Sequence, residues 1–310
     1  MDVIWRPLTP ADGPAWVACA VAVEAEDRTG EHLGADDFAW WLDDPGTDLA
    51  RDSLGAFAGD DLLAYAFAPG LPGGDRVELR IEGAVHPAHR RRGLGRELLT
   101  RVIAAGEARY PVLEAHVRAY DGNPGQEALL AEFGFTTRRW FFDMTADLTG
   151  AAPATVPAGF AVERFTEAHA EELRLLRNRS FADHWGSPQH DPEQWRARFL
   201  APNLFVPGLT FQVRDAASGA LAAFVLSHHH AADSEARGHR ELWVAAVGTD
   251  PGFRGRGLGG ALLAHTLHAG AAAGYASAGL SVDADNPTGA LGIYRRAGFT
   301  PSARWTVRIR

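Results

Sequence analysis

The sequence predicts two tandem domains of the α/β (α+β) class, each a mixed, mostly antiparallel sheet flanked by helices. Three observations point there. Pro87, Arg90, Gly93 and Gly95 recur as Pro251, Arg254, Gly257 and Gly259, at a constant offset (254 − 90 = 164). Gly134-Phe135 and Gly298-Phe299 keep that offset near the end of each half, so a whole domain is repeated rather than one turn. Strand-like alternation and helical spacing also follow one another in the same order in both halves. The expected boundaries are residues 1–144 for the first domain, 145–158 for a linker and 159–310 for the second domain, both of ordinary size.

Taken in order, residues 3–8 alternate as a first strand, and Thr9-Pro10-Ala11-Asp12 reads as a helix start. Helical spacing covers 14–27 and 36–43, the second carrying Phe38, Trp40, Trp41 and Leu42 as core or interface aromatics. A hairpin over 54–58 and 62–68 turns at Gly59-Asp60-Asp61, and residues 77–85 form the strand that enters the first glycine turn. A helix to about residue 109, a strand over 112–117, a helix over 124–133 stopped by Gly134, and a closing strand over 138–144 complete the half. Residues 145–158 are small and proline-bearing, the composition of a linker. The second half repeats the order: strand 160–165, helices 167–182 and 191–200, hairpin 210–214 with 220–228, central strand 241–248, helix, strand 280–282, helix 287–297 and closing strand 305–309.

Composition narrows the function. The chain has 310 residues, 46% hydrophobic, enough for two cores. A net charge of −9 provides no basic field for nucleic acid, and the arginines beside the glycine turns suit a small anion. The single cysteine, Cys19, excludes an intramolecular disulfide and reads as a buried thiol. No apolar stretch is long enough for a membrane span, and Asp2 and Arg6 bracket too short a run for a signal peptide, so a cytoplasmic protein with no membrane partner is expected.

The most informative stretch is Arg254-Gly255-Arg256-Gly257-Leu258-Gly259-Gly260. It lies between an apolar strand ending at Asp250-Pro251 and leucines at helical spacing. A strand, a glycine turn and a helix start make an anion cradle, because first-turn N–H groups lack partners and carry the positive end of the helix dipole. No Lys-Ser/Thr pair follows the glycines, which excludes the ATP-binding P-loop pattern, and the dinucleotide fingerprint does not fit either. The motif present is R-x-x-G-x-G.

With this motif, Val282-Asp-Ala-Asp-Asn286-Pro, Tyr294 and Gly298-Phe299, the chain resembles the GNAT superfamily of acyl-CoA-dependent acyltransferases over nearly its whole length. The resemblance implies acetyl-CoA as co-substrate, an amine as acceptor and no metal. It assigns the backbone amides of Val247, Gly248 and Thr249 to the pantetheine arm, and residues 254–260 to the pyrophosphate. Asn286 caps the next helix and reaches the ligand. Tyr294, two turns on, protonates the departing thiolate. Gly248 is expected at a bulge that opens the central strand. Tandem members of the family place a glutamate on that strand; here its position falls at Trp243, and Glu241, on the same strand face, is the candidate base acting through water.

Asp183, His184 and Trp185 form a candidate acceptor surface. The first half retains Arg90, Gly93 and Gly95 for an acyl-CoA, but Leu130 stands where the second half has Tyr294, so it is expected to be degenerate. Adjacent strand residues point to opposite faces, so His228-His229-His230 does not read as a metal site. The alternative from a different class is a non-catalytic acyl-CoA-binding or sensing protein.

Overall fold

The structure, a computed structural model, describes residues 2–73, 75–285 and 289–310. The chain divides into two units: one ends at Phe141 and adds Ala303–Arg310, and the other is Phe142–Ser302.

The first unit contains β1 (Ile4–Arg6), α1 (Gly13–Asp27), α2 (Ala35–Asp43), the short α3 (Leu49–Asp52), β2 (Ser53–Ala58), β3 (Asp61–Phe67), β4 (Gly70–Gly73), β5 (Arg76–Val85), α4 (Leu94–Arg109), β6 (Leu113–Tyr120) and α5 (Pro124–Glu132). Strands β1, β2, β3 and β5 pair antiparallel in that order, β4 also pairs with β5, and β5–β6 is parallel. Leu79, Ile81, Ala115 and Val117 pack beneath Leu98, Val102 and Ile103 of α4. The other face buries Trp16, Cys19, Phe38, Tyr65 and Phe67. Burial raises the Cys19 thiol to about 12, so it stays protonated, as expected of a structural thiol.

Two long strands each have parts in both units: β7 (Thr136–Asp147) and β13 (Thr300–Ile309). Trp305–Ile309 of β13 pair antiparallel with Tyr120–His116 of β6, so the last residues close the first unit's sheet and not, as the sequence order suggested, that of their own half. Strand β7 continues to Asp147, inside the stretch expected to be a linker. Met144, Ala146 and Leu148 are buried, and the Leu148 N–H donates to the Ala276 carbonyl at 2.9 Å. The period-two burial of these residues is a strand pattern that their small neighbours masked.

The second unit adds β8 (Phe160–Arg164), α6 (Ala170–Ser180), α7 (Pro192–Phe199), β9 (Phe211–Asp215), β10 (Leu221–His228), α8 (Ala231–Arg237), β11 (Glu241–Thr249), α9 (Leu258–Ala272), β12 (Ser277–Asp283) and α10 (Ala290–Arg296). Its strand order is β7-β12-β11-β10-β9-β8, with β11–β12 parallel. Sequence analysis did not anticipate α8 or β4. Leu242, Val244, Leu262, Leu263, Leu267, Ala278 and Leu280 form the core on the α9 side, and Leu173, Leu176, Trp195, Phe224 and Leu226 the core on the α6 side.

The expected bulge exists but not at Gly248. Pairing of β10 with β11 shifts between Leu226↔Ala246 and Ser227↔Val244, which leaves Ala245 as the extra residue. Gly248 is glycine for a packing reason: a Cβ there would lie 2.3 Å from the Phe224 ring.

Trp305 is buried against Tyr120, with ring centroids 5.3 Å apart, and the Arg118 guanidinium lies 3.6 Å from the centre of its ring. Truncation, Trp305→Ala, is expected to cost about 3–5 kcal/mol of stability, as for other buried tryptophans. Denaturant unfolding of the full-length protein checks it.

Candidate active site

The second unit's site is built from a hydrogen-bond ladder that stops. Strands β11 and β12 pair in register from Glu241↔Ser277 to Trp243↔Gly279, and the pairing goes no further along either strand. On its other edge β11 stays paired with β10 to Thr249. The Asp250 N–H donates to the Ala222 carbonyl at 2.9 Å, which sets the alternation. Gly248 and Ala246 therefore turn their N–H groups toward β10. Val247 and Thr249 turn theirs toward the side that β12 has left. Two of the three amides expected to meet a pantetheine arm thus face the opening, and Gly248 does not.

The glycine turn closes the end of this opening. The Asp250 carboxylate accepts from the Gly252 N–H at 3.0 Å and from Arg179 Nε at 2.9 Å, which ties the turn to the end of α6. Arg254 donates through Nη2 to the Ser180 carbonyl at 3.0 Å, a second tie to the same helix end. Gly257 caps α9 with φ 77°, in the left-handed region that favours glycine. Arg254, Gly255, Arg256 and Gly257, the turn that leads into α9, are exposed. Leu258 and Gly259 are buried; a Cβ on Gly259 would come within 3.2 Å of Thr249 Oγ1, so glycine allows α9 to sit close on β11. Gly260 lies 3.6 Å from Ile293 by the same measure.

Tyr294, on α10, is 9% exposed and packs edge-on against Phe299. Burial pushes its phenol up to about 12, so it holds its proton at neutral pH and can donate a hydrogen bond. Asn286, expected to cap this region, lies outside the described residues.

Residues 17–135 and 170–299 match the Acetyltransferase (GNAT) family, once in each half. The chain belongs to the GNAT acetyltransferase family. It is an acyltransferase, and acetyl-CoA is the co-substrate of this family. A mycothiol acetyltransferase of Clavibacter michiganensis subsp. michiganensis is 36% identical over 275 residues, covering 84% of this chain and 83% of the relative. One from Gordonia bronchialis is 35% identical, with 82% of each chain covered. Among solved structures, a GCN5-related N-acetyltransferase from Sphaerobacter thermophilus superposes with a TM-score of 0.77 at 23% identity, covering 99% of this chain and 95% of that one. A tandem GNAT protein from the clavulanic acid biosynthesis pathway gives 0.74 at 18%, covering 100% and 98%. At these identities the structures establish the fold alone.

The other residues expected at the site lie on β11, after α6 and in the first unit. Glu241 is at the paired start of β11, 5% exposed, with Arg237 Nε 3.4 Å from its carboxylate and Ser277 Oγ donating to it at 3.2 Å. Its carboxylate nonetheless reaches the last rung of the ladder: a Cβ on Gly279, the partner of Trp243, would lie 3.1 Å from Glu241 Oε1. Asp183, His184 and Trp185 follow α6 directly. Asp183 is exposed, and His184 Nδ1 lies 3.0 Å from the Trp185 carbonyl. The buried Arg177 clamps this loop through the Pro188 carbonyl and Ser187 Oγ, and burial lowers its pKa to about 10.

In the first unit Arg90 forms a two-pronged ion pair with Asp27 at 2.6 and 2.7 Å, so it fastens the glycine turn to the end of α1. Gly93 caps α4 with φ 87°, Gly95 packs on Leu129, and Leu130 is buried. Sequence reasoning passed over Glu82. Its signal was an alternation of Glu78, Arg80 and Glu82 along a central strand, where apolar residues are the rule.

Strand β10 ends at His228, and His230 caps α8, so the strand alternation reaches only the first of the three histidines. His228 Nε2 lies 2.9 Å from the Phe199 carbonyl, and His229 Nδ1 lies 3.4 Å from the Glu241 carbonyl. No group of three or more metal-ligating side chains occurs among the described residues. Burial holds His228 neutral, its pKa lowered to about 4. As pH falls from about 6.5 toward 4, the unfolded chain binds a proton at this position and the folded protein does not. Stability should therefore drop by on the order of 3 kcal/mol across that window, and His228→Gln should flatten the slope. Urea midpoints at pH 7 and pH 4.5 test this.

Proposed function

We propose that the protein moves an acetyl group from acetyl-CoA to a primary amine of a small molecule or peptide, with the chemistry in the second unit. The observation that carries this reading is the open edge of β11: the Val247 and Thr249 amides face an unpaired cleft that ends at the N-terminus of α9. Extended pantetheine amides can continue the ladder that β12 abandons, and the diphosphate meets the exposed glycine turn at the N-terminus of α9, beside Arg254 and Arg256. Arg256 and the backbone from Gly255 to Gly260 supply this anion site, while Arg254 mainly holds the turn in place.

In the reaction the neutral amine attacks the thioester carbonyl, a C–N bond forms, and the C–S bond breaks. The Tyr294 hydroxyl gives its proton to the departing thiolate, the nitrogen loses its extra proton to solvent, and solvent reprotonates the phenol. The acceptor wall is the loop of Asp183, His184 and Trp185, held at the end of α6 by Arg177. The relatives named mycothiol acetyltransferases support a small-molecule acceptor of that kind.

Tyr294→Phe should lower thiol release from acetyl-CoA by about 100-fold while leaving acetyl-CoA affinity within about two-fold, the signature of a lost proton donor. Gly257→Trp forces a bulky residue into left-handed backbone, and calorimetric titration should show acetyl-CoA binding to the second unit abolished. A variant that binds and turns over normally would reject the site. Full binding without thiol release for any amine would favour the sensing alternative.

A further inference from the structure

The first unit repeats the parting of strands but places a carboxylate at the fork. Its parallel pairing runs from Val77↔Leu113 to Ile81↔Val117, two residue pairs further than in the second unit, and Glu82 and Arg118 are the first residues beyond it. The His86 N–H donates to the Leu63 carbonyl at 2.9 Å, so Glu82 and Ala84 turn their amides toward β3, and Gly83 and Val85 turn theirs into the fork. Leu79 and Ile81 face the core under α4, which directs Glu82 to the opposite face, beside Phe67 in register.

Glu82 is exposed at the fork where β5 and β6 part. Among the described residues its carboxylate accepts no hydrogen bond and makes no ion pair. Desolvation at the fork raises its pKa, Arg118 and Arg80 oppose that rise, and Glu31 adds to it. Tyr65 faces it from β3, with Cys19 of α1 behind, and burial holds both protonated. Arg118 is already engaged, 2.7 Å from Glu31 and stacked on Trp305. The position 164 residues on is Ala246, so the second unit has nothing equivalent.

We propose that the first unit is a second acceptor site, in which Glu82 binds the ammonium group of a primary amine and removes its proton. This rests on the acetyl-CoA reading above for the donor. Glu82 takes one proton from R–NH3+, leaving R–NH2. The nitrogen attacks the thioester carbonyl, the C–N bond forms, the C–S bond breaks, and a nitrogen proton leaves with the sulfur as the free thiol. Glu82 then returns its proton to solvent. Glu31, on the same side, favours acceptors that carry positive charge.

The test uses full-length protein, acetyl-CoA, and glycinamide or spermidine as acceptor, with thiol release as the readout. Tyr294→Phe should lose about 100-fold, as above, and keep with one of these amines a remainder that the first unit carries. Adding Glu82→Gln should lower that remainder by about 100-fold and abolish its rise with pH, which in Tyr294→Phe falls above the ordinary carboxylate range. Equal rates in Tyr294→Phe and the double variant would overturn the proposal. If the unmodified protein releases no thiol with either amine, the acetyl-transfer reading fails separately. Carboxyl-carbon NMR, with the Glu82 signal identified by its loss in Glu82→Gln, then decides the binding claim. A titration midpoint that falls when spermidine is added upholds it, and one that does not move overturns it.

Discussion

A parallel pair of strands that separates part-way leaves backbone amides with no partner, and each buried amide left so costs about 1–3 kcal/mol. The fold keeps that cost low by leaving the gap open to solvent and to a ligand whose own amides complete the ladder. Everything around the second unit's gap serves to hold it. Pairing with β10 keeps β11 straight on its other edge, and the extra residue at Ala245 falls where the two edges begin to differ. Gly259 lets α9 approach within contact of Thr249, so the helix N-terminus stands at the mouth of the gap.

The arginine of the repeated motif illustrates how a functional pattern can rest on a structural role. Arg254 bonds the end of α6, and Arg90 bonds Asp27 at the end of α1. In both units the side chain fastens the glycine turn to the end of the unit's first helix. The turn's conformation, more than the arginine's charge, is then what presents amides to an anion. Arg256, with its guanidinium 5.1 Å from the Phe253 ring and exposed, is the freer charge beside the second turn.

The two units differ in their polar groups. Tyr294 lies on α10 of the second unit, and Leu130 takes its place in the first. Glu82 stands at the first fork and Ala246 takes its place in the second. A duplicated fold with complementary losses need not be one active and one degenerate copy. Each fork retains the backbone amides, which no side-chain substitution removes.

The sequence by itself determined the duplication, the strand order around each glycine turn and the family, because these rest on glycines whose backbone angles few other residues adopt and on periodicities that survive without partners. Only the tertiary structure decided which groups meet the gap. The direction of the Val247 and Thr249 amides depends on register with β10. The place of Glu241 relative to the gap depends on where pairing with β12 stops. The closing of the first unit by Trp305–Ile309 depends on a strand that leaves its own half. Register and strand partnership join residues far apart in the chain, and local pattern carries no record of them.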